Sequence, residues 1–95
     1  MGTYQEKLTR WIELANGTPT RNDVREAGKL LSKGDVLYNR WNEHGIESGM
    51  RELVVVADVR GTPFFILEDN SGKTTWMRTR TLLKRYKLHP SGPRR

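Results

Sequence analysis

Few side chains in this sequence are equipped for covalent chemistry, and their spacing decides what they can do. There are two histidines and no cysteine. His44 lies between Glu43 and Gly45 in a polar stretch, and His89 precedes Pro90 near the C-terminus. Neither has a second ligand at a metal-binding interval, such as four residues along a helix, so both read as exposed loop histidines. Without thiols, a disulfide framework and a thiolate metal site are excluded. No serine stands in a Gly-x-Ser-x-Gly elbow. Gly72-Lys73-Thr74 ends like a phosphate-binding loop, but Leu67 occupies the place of that motif's first glycine. Glu68 and Asp69 are adjacent at a strand end, where neighbours point to opposite faces and cannot act as a pair. The inventory predicts a protein that is not an enzyme and uses no cofactor or metal.

The residues that do form a pattern are cations. Trp76, Arg78 and Arg80 sit two apart, Lys73 precedes them, and Lys84, Arg85 and Lys87 follow. Residues 1–70 carry nine Lys and Arg against eleven Asp and Glu, and residues 71–95 carry eight against none, for a net charge of +6. An asymmetry of this kind points to a polyanion or an acidic partner. On a strand, Trp76, Arg78 and Arg80 would share one face, and Thr75, Met77, Thr79 and Thr81 the other. Guanidinium groups bind phosphates through charge-assisted hydrogen bonds, and a flat aromatic can stack on an exposed base.

The expected interface for nucleic acid, with DNA favoured over RNA, therefore comprises Lys73, Trp76, Arg78, Arg80, Lys84, Arg85 and Lys87. Arg94 and Arg95 would extend it as a loose arm. Phosphate contacts position a ligand without reading its sequence, so specificity would be low. Two alternatives stand beside this reading. Trp76 could face the core, with Arg78 and Arg80 paired to helix acids such as Glu6, Glu13 or Glu26. The face could also dock an acidic protein.

These side chains need a scaffold. Residues 3–15 predict a helix, with Tyr4, Leu8, Trp11, Ile12 and Ala15 on one face and Thr3-x-x-Glu6 as a capping box. Trp11 is expected to fasten this helix to the core. Thr18-Pro19-Thr20 breaks the chain. Thr20 then caps a second helix over 21–31, Asp23 favouring its dipole, with Val24, Ala27 and Leu31 as the apolar stripe. From residue 35 the period shifts toward two. Strands are expected over 35–41, 51–60, 64–68 and 73–81, with 42–49 as a loop. The residues Leu53, Val55, Ala57 and Val59 mark one face of the second strand. Asn70-Ser71-Gly72 signals a hairpin. A single helical turn at 82–86 and a last short strand at 87–88 complete the series, and 91–95 should fray.

Five short strands with a long first loop, tight later hairpins and a helical turn before the last strand resemble an SH3-like barrel. Gly34-Asp35-Val36, the loop 42–49, the hairpin Asn70-Ser71-Gly72, and Leu82-Leu83 before Tyr86-Lys87-Leu88 carry the resemblance. The whole looks like the small basic proteins of bacteriophages. It implies an α+β fold, with two N-terminal helices (1–33) packed on a five-stranded SH3-like β-barrel (34–90) and a disordered basic tail (91–95). The N-terminal half also resembles the helix-turn-helix of KfrA-type plasmid DNA-binding proteins, through Gly17-Thr18-Pro19-Thr20, Asp23-Val24-Arg25-Glu26 and Trp41. That resemblance implies a recognition helix over 32–43 and DNA binding through the N-terminal helices. Against it, Gly34 would fall inside that helix, and strand is the preferred reading of 35–41. With no long apolar run and no cysteine, the expectation is a cytoplasmic protein with no membrane partner.

Overall fold

The computed structural model describes residues 3–40 and 52–93. Two helices, α1 (Tyr4–Ala15) and α2 (Arg21–Leu30), precede four strands, β1 (Val36–Asn39), β2 (Glu52–Asp58), β3 (Phe64–Glu68) and β4 (Thr74–Arg78). A short helix α3 (Thr79–Arg85) and a last strand β5 (Tyr86–Leu88) follow. The strands form one antiparallel sheet in the order β4-β3-β2-β1-β5. The fold is α+β. Strand pairing leaves β4 and β5 as the two edges, so the sheet is not closed by hydrogen bonds among the described residues.

Local chemistry explains where the helices begin. The Thr3 hydroxyl accepts from the Glu6 N–H at 3.2 Å, and Thr20 and Asp23 form a reciprocal capping box. Each satisfies donors that a helix start would otherwise leave open. Trp11, Leu14 and Ala15 of α1 and Ala27 of α2 enter one cluster with Leu37, Leu53, Val55, Phe65, Leu67, Leu82, Leu83 and Leu88. The Trp11 indole Nε1–H donates to the Tyr86 carbonyl at 2.9 Å, so its polar edge is satisfied while the ring is buried. Ile12, expected on the same face, is exposed. It lies one step, about 100°, beyond Trp11, while Leu14 rotates in from the other side.

Some of the charge in this half is paired internally. Asp35 is fully buried and accepts from Lys7 Nζ at 3.0 Å and from the Ser32 N–H at 2.9 Å. Arg10 bonds both oxygens of the Glu26 carboxylate and reaches Glu13 at 3.2 Å. Hydrogen bonds from Arg10 hold the Glu26 carboxyl below its ordinary pKa.

Two features depart from the expected pattern, and a third agrees with its preferred reading over the alternative. The first is a register shift in β2 between Val55 and Ala57: Val55 pairs with Leu67, but Ala57 pairs with Ile66. The extra residue moves Ala57 to the face opposite Val55, which is what a bulge does to a two-residue period. The second is the end of β4. Strand was expected to residue 81, yet the chain turns into α3 at Thr79. Leu82 and Leu83 are consecutive and both fully buried, an arrangement a helix permits and a one-sided strand does not. The Thr79 N–H and hydroxyl both donate to the Pro63 carbonyl, at 2.8 and 3.2 Å. Beneath them Gly28 of α2 lies so near Thr79 that a Cβ there would stand 3.6 Å from it.

The third concerns the helix-turn-helix resemblance. Residues 36–39, where its recognition helix would run, are strand β1, paired with β2 on one side and β5 on the other. Gly34, at φ 93°, turns the chain into that strand. The expected loop 42–49, with His44, and also Trp41, Arg94 and Arg95 lie outside the described residues.

Candidate nucleic-acid interface

Strand β4 pairs only with β3, which places Phe64 opposite Arg78, Ile66 opposite Trp76 and Glu68 opposite Thr74. These six share the face turned away from the core, since the alternate residues Phe65 and Leu67 are buried in the cluster. Trp76 is 59% exposed on this face. Its ring lies 6.2 Å from that of Phe64, tilted by 53°, and the Arg78 guanidinium stands 5.4 Å from the Phe64 centroid. Phe64 thus supports both, and part of the arginine's attraction is to the ring's π-face. Trp76 faces outward, so the core-facing alternative does not hold. Two acids that the alternative would have given to Arg78 and Arg80, Glu13 and Glu26, are bound by Arg10.

Lys73 is exposed at the hairpin that joins β3 to β4. Asp69 organises that turn: its Oδ1 accepts from the Ser71 hydroxyl and from the N–H groups of Ser71 and Lys73, at 2.6, 2.9 and 3.0 Å. Those bonds, the Ser71 hydroxyl first, lower the Asp69 pKa. Gly72, at φ 85°, supplies the left-handed residue the turn requires.

Because β4 stops at Arg78, Arg80 leaves the tryptophan's strand and stands exposed on α3 with Lys84, four residues on. Lys84 and Arg85 occupy the last helical turn, where cations suit the dipole. Arg40 closes that end of α3, donating from Nη1 to the Lys84 carbonyl at 3.2 Å and from its backbone N–H to that of Arg85 at 2.9 Å. Lys87 is half-buried in β5, in register with Tyr38. The predicted stripe therefore divides among the β3–β4 hairpin (Lys73), the outer sheet face (Trp76, Arg78), the exposed side of α3 (Arg80, Lys84, Arg85) and the β1–β5 pair (Lys87).

A second basic surface was not anticipated. A groove of about 720 Å3 runs between α2, the β2–β3 turn and α3. Arg21, Arg25 and Lys29 line it from α2, Arg80 from α3, and Asp58 is the one acid among the described residues that line it. The three α2 cations are spaced by four, which places them on one side of a helix. That interval was the available signal.

His89 proves less isolated than its sequence context implies. Its Nε2 lies 3.4 Å from Glu52 Oε1, and its Nδ1 lies 2.7 Å from Ser91 Oγ and 3.1 Å from the Ser91 N–H. Hydroxyl, imidazole and carboxylate stand in sequence as in an acyl-transfer triad. Here, however, the serine follows the histidine by two residues and its own N–H shares the ring nitrogen, which describes a local turn. Among the described residues no cluster of three or more metal-ligating side chains occurs, and no helix is long and apolar enough to cross a membrane. No protein-family model, curated protein or solved structure matches this chain.

Proposed function

We propose that this protein binds nucleic acid without acting on it chemically, DNA in preference to RNA, by neutralising backbone phosphates around an exposed aromatic. The observation that carries the reading is Trp76, 59% exposed on the outer face of an edge strand with Arg78 beside it and Phe64 beneath. A soluble domain gains nothing in stability by displaying an indole there, whereas a stacking platform edged with cations suits bases and phosphates. Lys73, Arg80, Lys84, Arg85 and Lys87 extend the positive potential, and contacts of this kind imply low sequence specificity. The strand order, the bulged β2 and the short helix between β4 and β5 also support the likeness to an SH3-like barrel, with α1 and α2 packed against it. The lack of cysteine suits a cytoplasmic setting.

A second reading takes the same face as a protein-docking surface. Phe64 and Ile66 beside Trp76 provide an apolar centre with a charged rim, the anatomy of an interface hot spot. Salt separates the two. Fluorescence anisotropy with labelled DNA at two salt concentrations should show affinity falling with a log–log slope of about 0.7 to 0.9 per neutralised phosphate. Arg78→Glu/Arg80→Glu, folded by circular dichroism, should lose that binding. No binding by the wild type even at low salt would refute the nucleic-acid reading and leave the docking surface.

A further inference from the structure

The outer sheet face and the α2–α3 groove meet at one residue. Phe64 lies tilted against Trp76 and under the Arg78 guanidinium, and also lines the groove. Arg78 ends β4 and Arg80 begins the opposite wall, two residues later. We infer that the two surfaces form one track and that its ligand is a single-stranded nucleic acid. A base stacks on Trp76, and the sugar-phosphate backbone passes Arg78 and Arg80 into the groove along Arg25, Arg21 and Lys29. The inference rests on the nucleic-acid reading above and narrows its substrate class.

Two observations favour a single strand, and a third favours a polyanion. Bases inside a duplex are covered by their neighbours and must leave the stack before a protein can engage them, so an exposed indole has little to bind on intact duplex. Next, the groove is too small for a duplex, whose own major groove admits an entire α-helix. A single strand fits: Arg21, Arg25 and Lys29 stand about 6 Å apart along about 12 Å of helix, a row of cations that one extended backbone can follow. Finally, the lining is electrostatically one-sided, with four cations against Asp58, which complements a polyanion and not a neutral chain. Stacking on Trp76 tolerates any base because every base offers a π-face.

Arg21, Arg25 and Lys29 are exposed, so Arg21→Gln/Arg25→Gln/Lys29→Gln should preserve the fold, as circular dichroism and a melting curve would verify. Labelled twelve-nucleotide oligo(dT) and oligo(U) and a twelve-base-pair duplex would be titrated with the wild type, this variant and Trp76→Ala. The wild type should bind single strands at least about tenfold more tightly than duplex, and Trp76→Ala should lose about tenfold on single strands while changing duplex binding little. The α2 variant should flatten the salt slope for single strands by about 2, from three lost contacts at about 0.7 each. The two oligonucleotides distinguish DNA from RNA as the source of the strand. Equal or tighter binding to duplex, or an α2 variant with unchanged affinity and slope, would overturn the single-strand track while leaving nucleic-acid binding intact. A wild type that binds none of the three probes would remove both, and binding to an acidic protein instead would favour the docking surface.

Discussion

Trp11 and Trp76 mark two regions that treat the same chemistry in opposite ways. Trp11 is buried to 1% exposure, hydrogen-bonded to Tyr86 and surrounded by the core, whereas Trp76 stands on the outer sheet face with its ring in solvent. The charges around them follow suit. Lys7 serves Asp35, and Arg10 serves Glu13 and Glu26. The segment after Asp69 contains no acid, and its Lys73, Arg78, Arg80, Lys84 and Arg85 are exposed. One region spends aromatic and ionic groups on holding the chain together, and the other presents them. Residue type therefore says little about role until the partners of each group are known.

The contrast can be broken experimentally. Trp11→Ala should cost about 3–5 kcal/mol in urea denaturation, the usual loss for a large buried aromatic. Trp76→Ala should stay within about 0.5 kcal/mol, as surface changes do; comparable losses at both positions would dissolve the distinction. Lys7→Met should come next. It strands the Asp35 carboxylate in the interior, and about 2 kcal/mol is expected, less than the about 3–5 of a fully buried pair because Lys7 keeps some contact with water. Lys84→Met, on the exposed side of α3, should move the urea midpoint hardly at all.

A smaller loss than that at Lys7 sharpens the comparison where the two regions touch. The Tyr4 hydroxyl donates to the His89 carbonyl at 2.7 Å, and burial first, then the nearby Asp35 charge, pushes its pKa from 10.0 up to about 12. The folded state therefore holds the phenol proton more tightly than the unfolded chain. That contribution to stability is complete below pH 10 and is lost as pH rises through about 12. Tyr4→Phe should cost about 1 kcal/mol at neutral pH and abolish the part of the alkaline destabilisation that falls in this window. Denaturation midpoints measured from pH 9 to 12 would show whether the slope depends on Tyr4.

Much of this arrangement is legible in the sequence because it depends on near neighbours. Thr3 and Thr20 announce helix starts through bonds that span three residues, and Gly72 marks a turn that Asp69 closes locally. Alternation alone sets Phe64 and Phe65 on opposite faces, and the core cluster decides that Phe65 is the inward one. The departures depend on distant contacts. Thr-Arg-Thr at 79–81 continues the two-residue period of β4, and only the Pro63 carbonyl and the packing of Leu82 and Leu83 bend it into a helix. The β2 bulge leaves no mark in a run of valines. The α2 cations were hidden by summation: the N-terminal half is net acidic, but two of its acids are bound by Arg10, and Arg21, Arg25 and Lys29 reach the groove regardless of the total. Trp76 and Arg78 were found by spacing, while Arg80 was found for a strand it does not occupy.

The bonds from Tyr4 to His89 and from Trp11 to Tyr86 span 85 and 75 residues. A chain leaving the ribosome makes α1 first, yet the partners for its indole and phenol emerge 75 and 85 residues later. Until then the apolar side of α1 has only transient company, and the loop-closure entropy of joining segments so far apart in sequence is still to be met. The sheet's hairpins can zip from local turns, but docking of the first helix must wait for the fifth strand. High contact order of this kind slows the final step of folding and makes that junction the place where a nascent chain stays exposed longest.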